Sequence, residues 1–296
     1  MQRQLVTIAI LVLAGCPSKG DRQVTPASSA SSGGASPSSA TSAAVAGARA
    51  YVSTYRERPV DDGKSLEVHV TFSGQARPNT WEIPKEYLAH CDTTEVAAPS
   101  LALGAGGGVD GVVVWLDDIH EGKPLKDEGR IEQDQKGCAF APHVLAMRAP
   151  GELRLMNSDP ANHAVRMDFD GSAGLDEALD QVNKVVPPHF SVTLEVKPEW
   201  AGHIAKVTCP MHLWMWSYVH FFEHPYFAVT KDGAARLTKV PPGAYHLTVW
   251  HEGLGATFKD TLTVTDPKST RVAVTMGSAN VVKSFAIDDD GVVSAR

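Results

Sequence analysis

The amino-acid sequence predicts an all-β protein built as β-sandwiches. Short segments of alternating apolar and polar residues recur along the chain, Gly and Pro clusters separate them, and only residues 176–185 read as a helix. Taken in order, 66–72 reads as a strand and 112–116 as a buried one. Residues 152–156, 191–196, 203–207, 246–250, 261–264 and 271–276 alternate in the strand manner. The turns are the glycine run 104–108, Pro187-Pro188 and Pro241-Pro242-Gly243, where proline lacks a ladder N–H and glycine admits positive φ. Many short strands at this spacing pack as sandwiches. The chain has no internal repeat and divides near Glu223, into residues 50–222 and residues 223–296.

Ahead of these modules stand two segments of different character. Arg3 precedes an apolar run, 5–14, broken only by Thr7 and ending Leu13-Ala14-Gly15-Cys16. That is the pattern of a secretory signal peptide, residues 1–16, too short for a permanent span. Small residues before Cys16 resemble the lipobox of bacterial lipoproteins. The resemblance implies that the Cys16 thiol takes a diacylglycerol, whose acyl chains contribute roughly 0.8 kcal/mol per buried methylene. Pro17 and Ser18 follow, with no Asp, which by the same resemblance favours the outer membrane of a Gram-negative cell, facing the periplasm. Residues 17–49 form a linker whose stretch 27–48 is nearly all Ala, Ser and Gly; it buries too little to offset its ordering entropy and serves as a tether. A coil of about 30 residues spans roughly 30 Å.

Composition narrows the partners. A net charge of −7 without a basic block argues against nucleic acid, and no second segment approaches membrane length. Besides Cys16, the chain carries Cys91, Cys138 and Cys209. In an oxidising compartment two of the three pair and one is left, and an unpaired thiol there calls for a chemical reason.

Chemistry concentrates in two loops that follow strands. One is Asn157-Ser158-Asp159-Pro160-Ala161-Asn162-His163, the other Cys209-Pro210-Met211-His212-Leu213-Trp214-Met215. A His from one loop with a Cys, a His and a Met from the other is the ligand set of a mononuclear type 1 copper site, in which thiolate and two imidazoles form a plane and a thioether sits on the axis. Metal ligation is also a reason for the odd thiol. Met215 lies between Trp214 and Trp216, where core packing is an equal reading, and Met211 is the other thioether in reach.

The ordered motifs carry a resemblance over about two thirds of the chain. They are Gly137-Cys138-Ala139-Phe140-Ala141-Pro142-His143-Val144, the two loops above, His224-Pro225-Tyr226-Phe227-Ala228-Val229-Thr230, Val240-Pro241-Pro242-Gly243-Ala244-Tyr245 and Trp250-His251-Glu252. Together they resemble the cupredoxin superfamily, and within it bacterial plastocyanin-like proteins of methylamine-utilisation type. The resemblance implies a Greek-key sandwich with one copper ion on His163, Cys209 and His212, and Met215 as axial donor. The sequence departs from the family at Ala164, where Asn is usual, and at Arg166, where a His is frequent. The loop is short, and because it holds no second Cys it implies a single copper and not a binuclear centre.

Cys91 and Cys138, 47 residues apart, are assigned to each other as a disulfide worth about 4 kcal/mol in the chain-entropy model. Alternatives are a Cys138–His143 metal pair at Cys-x4-His spacing, and His143 replacing His163 as first-loop ligand. His69, His90, His120, His189, His203 and His220 read as surface or satisfied histidines. Residues 223–296 resemble a transthyretin-like or carboxypeptidase-regulatory β-sandwich, docked closely on the first module, in which His251 and Glu252 close a strand.

Two classes of function follow. The first is a lipid-anchored copper electron carrier serving a periplasmic redox protein; the second is a non-redox lipoprotein that stores copper or binds a protein or glycan. No Ser-His-Asp set, carboxylate pair or nucleotide loop marks an enzyme.

Overall fold

The computed structural model of the chain describes residues 53–74, 80–91, 95–97, 101–125, 129–169, 182–252, 256–264, 270–277, 284–288 and 292–295. The signal peptide, Cys16, the linker and positions 176–181 of the expected helix lie outside the described residues. The end of that expected helix is instead extended, within strand Asn183–Val186. There Val185 and Val186 pair with Ala164 and His163, and β-branched side chains facing a neighbouring strand favour the pleated form.

The expected all-β architecture is present as two sandwiches. In the first, one sheet places Ser191–Val196, Gly151–Asn157, Arg130–Gln135 and Phe140–Ala141 side by side. The other places Asn183–Val186, His163–Phe169, Ile204–Cys209, His212–Phe222 and Val144–Arg148 side by side. Gly151–Asn157 runs parallel to Arg130–Gln135, and His212–Phe222 parallel to Val144–Arg148. Parallel neighbours need a crossover, so the chain passes repeatedly from sheet to sheet. Between the sheets lie Leu153, Leu155, Val165, Met167, Val207, Val219, Phe221 and Trp200, all buried. Burial of each such side chain contributes about 1.5–3 kcal/mol.

The second sandwich corrects the expected boundary at Glu223. One of its sheets orders Phe227–Val229, Val113–Leu116, Gly243–His251 and Ala256–Val264. The other orders Ala234–Val240, Lys64–Ser73, Thr270–Gly277, Ser284–Asp288 and Val292–Ala295. Two strands expected in the first module therefore belong to the second, and the first sandwich is inserted between them and residue 227. The reason is that a two-residue repeat tells which face of a strand is buried, not which strand pairs with it. Leu66, Val68, Val70, Val114 and Leu116 share a core with Leu237, Leu247 and Val249.

The sandwiches meet along the outer face of His212–Phe222 and Val144–Arg148. Val113, Val144, Ala146 and Phe222 form a small buried cluster with Trp115, Phe227, Val229 and Trp250 against it. Phe222 stacks on Phe227 at 4.6 Å between centroids. Residues 50–296 form one compact unit. Among the described residues no helix is long and apolar enough to cross a membrane.

The pairing gives a direct expectation. In residues 50–296, the amides of Lys64–Ser73 and Val113–Leu116 are protected from hydrogen exchange; in a 50–222 fragment they lose that protection because their partners are gone. Retained protection in the fragment contradicts the assignment.

Candidate metal centre

The first-loop ligand is set by a chain of side chain–backbone hydrogen bonds. Asn157, at the end of Gly151–Asn157, donates from Nδ2 to the carbonyls of Ala161 and Val186, both at 2.8 Å. Its Oδ1 accepts the N–H of Asp159 at 3.0 Å, an Asx-type turn. That turn aims the Asp159 carboxylate inward, where it accepts the N–H groups of Gly137 at 2.6 Å and Cys138 at 2.9 Å. The same carboxylate lies 2.9 Å from His163 Nε2. With Nε2–H committed to a carboxylate, Nδ1 of His163 is the nitrogen turned toward the second loop, as in ligating histidines held by an acidic partner.

The second pair of donors comes from a hairpin. Cys209 faces His212 across a two-residue turn, Pro210-Met211, with a register shift between Thr208 and Cys209. Directly paired residues of an antiparallel ladder project to one face, so the thiol and the imidazole leave the hairpin together. His163 Nδ1 lies 2.9 Å from His212 Nδ1. Cys209 Sγ lies 3.6 Å from His212 Nδ1 and 4.0 Å from His163 Nδ1. Three donors expected from two distant loops thus converge on one point, and none of the three residues is more than 3% exposed. Thiolate plus two imidazoles is the donor chemistry of a soft transition metal.

Electrostatics prepare the thiol. Burial pushes the Cys209 thiol up, but hydrogen bonds from His163, His212 and the N–H groups of Ala164 and Met211 outweigh it and bring it to about 6. Burial lowers His163, yet its bonds to Asp159 and Cys209 lift it to about 8. Asp159, raised by burial, is held below the usual carboxylate range by His163 and the two N–H groups. Cys209 ionisation therefore contributes stability that is complete above the unfolded thiol's value and lost as pH falls through about 6. His163 contributes stability that is complete below the unfolded imidazole's value and lost as pH rises through about 8.

The surroundings decide the alternatives that the sequence left for Cys138 and His143. Cys91 and Cys138 form a disulfide, with Cα atoms 5.2 Å apart. Cys138 is therefore no thiolate donor, neither with His143 nor in the grouping of Cys138, Asp159 and His163. Cys209 is the free cysteine among the described residues. His143 pairs with Glu252 instead of joining the trio. Met215 is buried in the core that also holds Cys209, whereas Met211 is 43% exposed. Tyr87 stands edge-on to His212 at 5.1 Å, and Trp214 packs on both while donating to the Cys138 carbonyl at 3.3 Å. His220, expected to be surface or satisfied, is buried with an unpartnered Nε2. Sequence reasoning did not single out Asp159, Tyr87 or the Ala164 N–H. The signal for Asp159 was its position four residues before His163 in a polar loop. The Ala164 N–H, 3.4 Å from Cys209 Sγ, needs no particular side chain and leaves no mark in sequence.

Thiolate absorbance of the metal-free protein is expected to titrate with a midpoint near pH 6, moving upward in His212→Ala; a midpoint in the ordinary thiol range contradicts this electrostatic account. Replacing Asp159 by Asn is expected to weaken metal affinity about 10- to 100-fold with the fold retained, measured by competition with a chelator.

No family model and no curated protein matches the chain. Among solved structures it is similar to the Cu-containing nitrite reductase (NirK) from Thermus scotoductus SA-01, at 14% identity and a TM-score of 0.27, covering 35% of this chain and 24% of that one. The chain thus spans about a quarter of that reductase's length. It is also similar to a methionine-to-alanine variant of amicyanin in the Cu(I) state, at 15% identity and a TM-score of 0.26, covering 33% of this chain and 85% of that one. Amicyanin from Paracoccus versutus matches at 14% identity and a TM-score of 0.26, covering 31% of this chain and 80% of that one. Likenesses this distant assign no family; the site stands on its own donor geometry.

Proposed function

We propose that the chain is a lipid-anchored copper protein of the cell envelope, a type 1 electron carrier and not an enzyme. The observation that carries this reading is the meeting of His163 Nδ1, Cys209 Sγ and His212 Nδ1 within 4.0 Å, with all three residues buried. The residues fit the metal: a thiol brought to about 6 is ready to ligate at neutral pH, and one imidazole is already oriented by a carboxylate. His163, Cys209 and His212 would hold the ion, with Met215 as the axial donor. Bound copper supplies one-electron chemistry between Cu(I) and Cu(II).

The chain's own contribution is rigidity and exclusion of water. Asp159 and the disulfide loop fix His163, the hairpin ladder fixes Cys209 and His212, and Tyr87 and Trp214 close over the imidazole. A site whose donors are already in place rearranges little between oxidation states, which favours fast transfer. Exposed apolar side chains surround the site: Met211 and Leu213 flank His212, and Val185 pairs with Ala164. An apolar rim next to a buried redox centre suits brief contact with a periplasmic redox protein. The anchor rests on the Cys16 motif, and the Ala, Ser and Gly composition of 17–49 suits a linker behind it.

The oxidised, copper-loaded protein is expected to show an intense visible thiolate-to-copper band with one copper per chain. Cys209→Ser removes the band, while Met215→Leu keeps it and shifts the reduction potential. A colourless, folded protein without stoichiometric copper overturns this reading. In intact cells, Cys16→Ser is expected to release the protein from the membrane fraction; unchanged retention there contradicts the anchor.

A further inference from the structure

Two motifs that the copper reading does not use meet at the junction of the sandwiches. His143 comes from the first sandwich, just before Val144–Arg148. His251 and Glu252 come from the end of Gly243–His251 in the second, more than a hundred residues later. All three line one cavity of about 230 Å³, together with Asp110, Thr230 and Lys231.

Three polar side chains with metal-binding chemistry share this wall. His143 Nε2 lies against Glu252 Oε1, and both side chains are largely buried. The other carboxylate oxygen, Oε2, accepts the indole N–H of Trp216 at 3.1 Å, which fixes the carboxylate's orientation. His251 is 1% exposed, and its Nδ1 is buried with no hydrogen-bond partner. A buried ring nitrogen without a partner is costly, and a lone pair of this kind is what a metal ion accepts.

We propose that this cavity is a second metal site, for a divalent ion such as zinc, held by His143 Nε2 and Glu252 Oε1 with His251 Nδ1 drawn in as third donor. Two imidazoles and one carboxylate form the donor set of an open zinc site, and the absence of a thiolate removes the preference for Cu(I). Trp216 acts as the outer partner that aims the ligating carboxylate. His251 stands further off in the metal-free chain, because three donors within 4.8 Å of one another occur, among the described residues, only at the groups that include His163. Ion binding thus turns the His251 ring, already on the cavity wall, toward His143 and Glu252. An ion here would tie the two sandwiches together through Glu252, which already touches Trp216 of the hairpin strand that bears His212.

The test is zinc content by elemental analysis after dialysis of the whole protein against Zn(II) and removal of unbound metal. The expected content is two ions per chain in the wild type, one in His143→Ala and one in Glu252→Gln. The Gln variant keeps an oxygen for Trp216, and circular dichroism of both variants checks that the fold is retained. Wild-type zinc content in both folded variants overturns the proposal and leaves His143 and Glu252 as an ion-pair clamp. A Cys209→Ser variant separates the two sites: it should lose one ion while keeping the junction ion. If Cys209→Ser loses none while His143→Ala loses one, the first site fails and the second stands.

Discussion

The Asp159 carboxylate is the constraint on which the site depends. It collects two backbone N–H groups from the disulfide-bonded loop and the Nε2 of His163. A carboxylate at the end of an apolar sandwich is tolerated only when its oxygens are matched by donors. Here the matching groups come from two separate loops, so satisfying the charge also fixes where the loops lie. His163 is then presented with Nδ1 facing the hairpin that holds Cys209 and His212. The Cys91–Cys138 bond holds the loop that supplies the N–H groups. Stability and ligand geometry therefore share the same few contacts.

The second sandwich bears on the first through two neighbouring strands, His212–Phe222 and Val144–Arg148. His212–Phe222 begins at a site donor and continues into the face that packs on the companion sandwich, where His220 lies 4.4 Å from Trp250 and Phe222 stacks on Phe227. Its partner across the junction, Glu252, bonds Trp216 from the opposite side. Over residues 219–222 the strand is thus buried on both faces, core on one side and companion on the other, while Leu213 near its start is exposed.

Much of this was legible in the sequence, and the failures have physical causes. Strands buried on one face, such as Gly151–Asn157 and Ser191–Val196, announce themselves by alternation. His212–Phe222 alternates in burial over most of its length, but its outer face carries aromatic residues instead of polar ones, so the run reads as loop and packing. The donor trio was legible because an odd cysteine, two histidines and their spacing constrain one another chemically. The partners of Lys64–Ser73 and Val113–Leu116 were not, since pairing over more than a hundred residues depends on the whole fold. The convergence of His143 with His251 and Glu252 is invisible for the same reason.

The most direct test of the account is X-ray absorption at copper in the protein loaded with one equivalent of copper per chain. It predicts one copper bound by a single short sulfur and two imidazole nitrogens, with the sulfur absent in Cys209→Ser. A shell of nitrogen and oxygen alone, or a second copper nearby, contradicts it.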